Sequence, residues 1–367
     1  DFKDPLAVKN LVDRKQEPVP MPFVPEWYFK SEKPNYFYVV PKSAPAIDDK
    51  KVYVGSDKGS FWALQQSDGT AAWEYKILFG SKKKKIFSSP VLHGDTVYFG
   101  AYDGNFYALD TATGKKKWIF VEADWIGSSP CIAPDLNTIF VGLEFGLWKK
   151  QGGLVALGPT TAQKNWEQTM PRLTHSSPAY SEKYGIVVCG CNDFSTYAFN
   201  ASNGKLLWEY KTDAEIRASF AFDEKRGLVA FGSFDKNMYV LHIQTGKLAY
   251  KIETGESIYS NPRIHGDLLY VGSLDKNLYA IDLKTGKILW KFETNGRIFA
   301  SPEIIGNSVY IGSNDGRLYE LDAGTGKNTA FFQATERITN KVAYNKNTDR
   351  IFLPTFANEL YCLKRKN

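Results

Sequence analysis

The stretch "LYVGSLDKNLYAIDLKTGKILW" (269–290) decides the fold, because the chain writes it many times over. "LYVGS" and "LYAID" are short alternating runs of aromatic and branched residues, which read as strands. "LDKN" between them reads as a tight hairpin turn. "DLKTGK" is a second turn, in which Asp282 can accept turn amides and Gly286 can take a positive φ without a Cβ clash. Trp290 then opens another strand. "VYFGAYDGNFYALDTATGKKKW" (97–118) and "VYIGSNDGRLYELDAGTGKNTAF" (309–331) are close copies, and weaker ones run over 52–73, 139–166, 187–208 and 228–250. A further strand precedes each phrase, introduced by small residues and often Pro, as in "SSP" from 88, 128 and 176 and "ASP" from 300.

The closing aromatics are Trp73, Trp118, Trp166, Trp208, Tyr250, Trp290 and Phe331, at gaps of 45, 48, 42, 42, 40 and 41 residues. Four short strands at such a period fit one blade of a β-propeller. Seven complete phrases are followed by an eighth, 342–367, that holds three strands and stops. "PEWYFK" (25–30) has the Trp strand but not the three before it, and Trp27 lies 46 residues before Trp73. The expected fold is therefore all-β: an eight-bladed β-propeller of four-stranded antiparallel blades. Strand 25–30 completes the blade formed by 342–367 and leaves the ring without an open joint. Residues 25–367 form the single propeller. Residues 1–24 are expected to be a tail that runs over the outside or docks on a partner.

Composition agrees with one large core and narrows the function. The 367 residues are 43% hydrophobic and 15% aromatic, against a modest net charge of +6. No nucleic-acid-binding motif accompanies that charge, so nucleic acid is not expected as a partner. No apolar run approaches the length of a transmembrane helix. Cys189 and Cys191 flank Gly190 in a strand and so share one face, as small buried side chains do. Cys131 and Cys362 complete the set of four, without zinc spacing. His93 and His265 fall in short turns and His242 in a hairpin. No metalloprotease, nucleophile or phosphate-loop motif appears, so no catalytic, metal or cofactor-binding residue is predicted.

"ALDTATGKKKW" (108–118) and "AIDLKTGKILW" (280–290), with the degraded "AFNASNGKLLW" (198–208) and "ALQQSDGTAAW" (63–73), resemble the repeat of the pyrroloquinoline quinone-like, or quinoprotein-type, β-propellers. The resemblance covers nearly everything after residue 25. It implies that Trp27, Trp73, Trp118, Trp166, Trp208, Tyr250, Trp290 and Phe331 dock between neighbouring blades. One branch of that family is quinoprotein dehydrogenases. Another is cofactor-free scaffolds, such as the propeller lipoprotein of the bacterial β-barrel assembly machinery. The dehydrogenases carry adjacent cysteines over the quinone, an Asp base often followed by Tyr, and a calcium site of Glu and Asn. Here Gly190 separates the two nearest cysteines, no Asp-Tyr pair exists, and Asn261 and Asn340 have no matching Glu. The resemblance thus favours the scaffold branch, without a cofactor, and by analogy alone an extracytoplasmic location. A quinoprotein-like enzyme or a small-ligand sensor using the central funnel is the alternative.

Departures from the repeat point to a surface. Twelve residues separate the closing aromatic from the Pro position of the next blade after Trp118, Trp166, Trp208, Tyr250 and Trp290. Seventeen do so after Trp73 and eighteen after Trp27, through "GSKKKKIF" (80–87) and "SEKPNYFYVV" (31–40). The third blade has an enlarged inner hairpin, "EFGLWKKQGG" (144–153). By strand direction all three reach one end of the ring, here called the upper face, and such clustering marks binding surfaces. The candidate face comprises Lys82, Lys83, Lys84, Lys85, Trp148, Lys149, Lys150, Arg172 and the channel mouth. His175, Arg217, Tyr259 and Phe299 form that mouth with Phe87, Gly127 and Thr339, and Arg297 and Arg337 lie nearby. Its basic and aromatic character suits a protein partner with an acidic or extended segment. A solvated set of loops with scattered charge is the plainer reading of the same residues.

Overall fold

The computed structural model describes residues 23–34, 43–77, 85–147 and 149–365. Thirty-two strands, β1 to β32 in chain order, form eight four-stranded antiparallel sheets, with no helix among the described residues. Seven sheets take consecutive strands. The eighth joins the two ends of the chain: β1 (Phe23–Lys30) lies beside β32 (Glu359–Arg365), then β31 (Arg350–Pro354) and β30 (Ala343–Asn345). Pro25 faces Leu363, Trp27 faces Cys362 and Tyr28 faces Tyr361. The register shifts between Pro25 and Trp27, where a proline without an N–H cannot extend the ladder. The closure read from the sequence is thus present, and the strand starts two residues earlier than expected, at Phe23. Residues 1–22 lie outside the described residues.

Each phrase folds for identifiable reasons. In the upper hairpin of the sixth blade, Asp275 accepts the Asn277 amide on one oxygen (2.8 Å) and the Tyr279 hydroxyl on the other (2.5 Å). Asp103–Tyr107, Asp193–Tyr197, Asp235–Tyr239 and Asp315–Tyr319 repeat the second bond. Burial raises these phenols well above the ordinary tyrosine range, and the neighbouring carboxylates raise them further.

Three sets of contacts join the blades. At the lower, outer edge Trp27, Trp73, Trp166, Trp208, Tyr250 and Trp290 each lie on the Gly of the next blade's outer turn, while the turn facing Trp118 carries Ala162 at that place. Trp208 donates its indole N–H to the Ile243 carbonyl (2.6 Å), and a Cβ on Gly246 would sit 2.7 Å from the ring. Trp27, Trp73, Trp118, Trp166 and Trp290 reach the corresponding carbonyls of Gln66, Thr111, Pro159, Ala201 and Ala323, and Tyr250 reaches that of Lys284. At the upper edge an isoleucine covers the preceding blade's strand-end glycine: a Cβ on Gly272 would lie 2.3 Å from Ile298. Nearest the axis, the second residue of five leaders accepts a backbone N–H from the blade before. Ala44 N donates to Ser89, Ser89 N to Ser129, Ser129 N to Ser177, Ser219 N to Asn261 and Asn261 N to Ser301. A short polar side chain there can reach the neighbouring backbone across a crowded axis.

One expected docking aromatic is corrected. Trp290 stands opposite Ala280, whereas in the seventh blade the matching residue, Glu320, stands opposite Ala330. Phe331 points to the other side of its strand, against Tyr319 (6.4 Å) and beneath the Arg317 guanidinium (4.4 Å). The seventh blade faces the joint, where β32 and β1 come from opposite ends and no turn exists to receive an indole N–H. The aromatic is supplied from β1 instead. Phe23 lies 5.9 Å from Tyr310, much as Trp290 lies 5.8 Å from Tyr270, and Arg365 covers it at 4.6 Å.

Candidate functional site: the upper face and axial collar

The upper face is where outer strands hand over to the next inner strand and where the inner hairpins turn. Its main departure is in the third blade. β11 (Thr138–Phe145) and β12 (Gln151–Leu157) run longer than their counterparts, pairing from Ile139–Leu157 up to Phe145–Gln151. The projection is braced on both sides. Asp124 and Trp125 exchange backbone hydrogen bonds with Glu144 on one side, and Gly152 and Gly153 pair with β13 (Lys164–Met170) on the other. A Cβ on Gly146 would meet the Trp125 ring. The base of the hairpin is therefore braced on both sides. Leu147 (64% exposed) and Val121 (67%) are the most exposed large apolar side chains among the described residues. Lys149, with Phe145 5.4 Å from its ammonium, and Lys150 are both exposed beside Leu147.

The predicted residues divide. Arg172 and Arg297 are exposed on this face. Lys85 is buried, with its ammonium 5.6 Å from Phe87, so it is not surface. Arg337 is buried over Phe356 (4.3 Å) with Glu336 at 3.7 Å, an internal contact. Lys82, Lys83, Lys84 and Trp148 lie outside the described residues.

His175, Arg217, Tyr259 and Phe299 converge with Phe87, Gly127 and Tyr102 on an axial cavity of about 780 Å3. Thr339 is buried, and Asn340 and Lys341 line the cavity in its place. His175 Nδ1 lies 3.2 Å from Glu144 Oε2, and Glu144 Oε1 accepts the Gly127 N–H at 3.1 Å. Arg217 is held by Glu215 (2.5 Å), with its guanidinium over Phe234 at 5.1 Å. Tyr259 is raised by burial, with the Arg217 guanidinium hydrogen-bonded to it and opposing the shift. Tyr102 is raised by burial first and the Glu144 charge second. Arg217 and Tyr259 both influence Tyr102 from across the axis, so these groups form a polar collar.

Tyr102, Trp125 and Glu144 were not singled out from the sequence. Tyr102 hides in a turn phrase, and Glu144 is visible only as the first residue by which the third hairpin outgrows the repeat. Cys189 and Cys191 sit in the core between the third and fourth blades, away from the collar. No group of three or more His, Cys, Asp or Glu side chains among the described residues is placed to hold a metal ion. No helix is long and apolar enough to cross a membrane.

Residues 150–367 match the family model described as beta-alanine-activating enzyme, beta-propeller. Residues 26–183 match that of the outer membrane protein assembly factor BamB. No curated protein sequence matches the chain. Among solved structures, BamB from Moraxella catarrhalis aligns with TM-score 0.75 at 16% identity, covering 94% of this chain and 98% of that one. A europium-containing methanol dehydrogenase gives 0.76 at 12% identity, covering 93% of each chain. A quinohemoprotein alcohol dehydrogenase from Pseudomonas putida HK5 gives 0.76 at 14%, covering 94% of this chain and 76% of that one. These likenesses establish the shared fold.

Proposed function

The chain belongs to the beta-alanine-activating enzyme β-propeller family, whose model spans more than half of it, and so to the pyrroloquinoline quinone-like propellers; from that premise we propose that it is a non-enzymatic interaction scaffold, a subunit or accessory of a larger assembly. Docking uses the upper face. The observation that carries this reading is the braced hairpin of the third blade, which sets Leu147 out in solvent beside the exposed cations Lys149 and Lys150. An exposed apolar side chain on a braced hairpin, with flanking charge, loses little entropy on binding, which is what an interface anchor requires. The partner is a protein with an acidic or extended segment, because the exposed cations of this face include Arg172 and Arg297 as well.

The test is co-purification of native partners. Leu147→Ser with charge reversal at Lys149, Lys150 and Arg172 should reduce recovery about tenfold or more, the scale of losing one anchor. Charge reversal at Lys115, Lys116 and Lys117, on the opposite face, should leave recovery unchanged. The reverse pattern would overturn the choice of face.

A further inference from the structure

The axial cavity is a second feature, independent of the docking face. Residues of all eight blades line its 780 Å3, a volume within the ~300–1,000 Å3 of small-molecule pockets. Its two ends differ in chemistry. At the collar Arg217 holds Glu215, and Glu144 accepts the Gly127 amide on Oε1 while its Oε2 lies 3.2 Å from His175 Nδ1. Arg217, Tyr259 and Tyr102 bring N–H and O–H donors to this end of the cavity. Further along the axis Ile47, Ile132, Phe222, Ile304 and Tyr344 contribute apolar side chains, among polar ones that include Ser301, Glu303 and Lys341. A guest that satisfies both ends carries acceptor oxygens on one side and hydrocarbon on the other.

We propose that the axial cavity binds an amphipathic monocarboxylic acid, its carboxylate on Arg217 and Tyr259 of the collar and its apolar body against the inner strands. A planar guanidinium matches a carboxylate through paired N–H donors. Arg217 is oriented in advance by Glu215 and by the Phe234 ring, so little order has to be gained on binding. Lys341 is the other cation in the wall, but its ammonium is directed to Glu303 (3.9 Å), which Arg263 also holds (3.2 Å). The collar offers several donors at one point, and Lys341 offers one.

Isothermal titration of the full chain with octanoate, octanamide and acetate tests this. Octanoate should bind saturably with one site per chain, and the other two at least about tenfold more weakly, since each lacks one half of the match. Arg217→Gln should cost octanoate about tenfold, and Lys341→Gln should cost less. Tyr259→Phe, which removes only a hydroxyl, should also weaken octanoate and serves if Arg217→Gln does not fold. Equal binding of octanoate and octanamide would overturn the carboxylate assignment. Equal binding of octanoate and acetate would overturn the apolar one. No saturable heat with octanoate at millimolar concentration, or a larger loss with Lys341→Gln than with Arg217→Gln, would overturn the site as stated. None of these outcomes bears on partner recovery, so the two proposals fail separately.

Discussion

The inter-blade tryptophans show how much one side chain carries. Trp208 is buried, fills the space between two blades and satisfies the Ile243 carbonyl. Trp208→Ala should cost about 3–5 kcal/mol, and Trp208→Phe about 1 kcal/mol for the hydrogen bond, both read from chemical unfolding. Gly246→Ala should be among the worst small substitutions, because the new methyl meets the indole and the backbone has φ +66. The third blade offers the converse. Ala162 stands in the corresponding turn at φ 56, a conformation that costs an L-residue about 1–2 kcal/mol, so Ala162→Gly should leave stability unchanged or raise it by about 1 kcal/mol. The thiols are a second residue-scale test. Burial pushes Cys131 up to about 11 and Cys191 to about 12, and burial with the Glu26 charge pushes Cys362 to about 12. A thiol-disulfide reagent at neutral pH should react slowly with the native protein and with all four cysteines after denaturation.

At the level of elements, the joint between β1 and β32 is the most distinctive structure. Burial tends to raise Glu359, but hydrogen bonds from Tyr28, Lys30, Thr355 and Thr335 outweigh it and hold the carboxyl below its usual range. Arg350 does the same for Glu26 through a 2.6 Å bond. A depressed carboxyl stabilises the folded chain fully above its unfolded value of about 4.3, and that contribution is lost as pH falls through the lower folded value. Thermal midpoints should therefore drop on acidification below about pH 4, and Glu359→Gln, already lacking the charge, should show a shallower drop. Phe23→Ala should lower the midpoint at every pH, by the several kcal/mol of an emptied aromatic site. This joint was legible in part. The unmatched "PEWYFK" disclosed the pairing, because a strand type was missing at one end and spare at the other. Phe331 misled because aromaticity was read in place of spacing. Counting eight residues from Asp322, as from Asp282 to Trp290, lands on Ala330. Phe23 could not be read at all, since it fills a gap in the seventh blade from a position outside the repeat.

For the whole ring, the sequence disclosed what repeats and left obscure what does not. Blade number and closure follow from spacing alone. The collar does not, because Arg217, His175, Tyr102 and Tyr259 come from four blades and meet only when the ring is closed. The fate of Lys85 and Arg337 was equally hidden: both look like surface charge in the sequence, and both are buried beside a phenylalanine. Deletion through residue 30 should lower the thermal midpoint and expose β32 as a bare edge, so that the truncated chain self-associates on gel filtration. Because the first strand finds its place only against the last, the ring cannot be finished while a ribosome still holds the final blade. Until that blade has emerged, the nascent protein is an arc with two unmatched ends, and that interval is when chaperones would have most to guard.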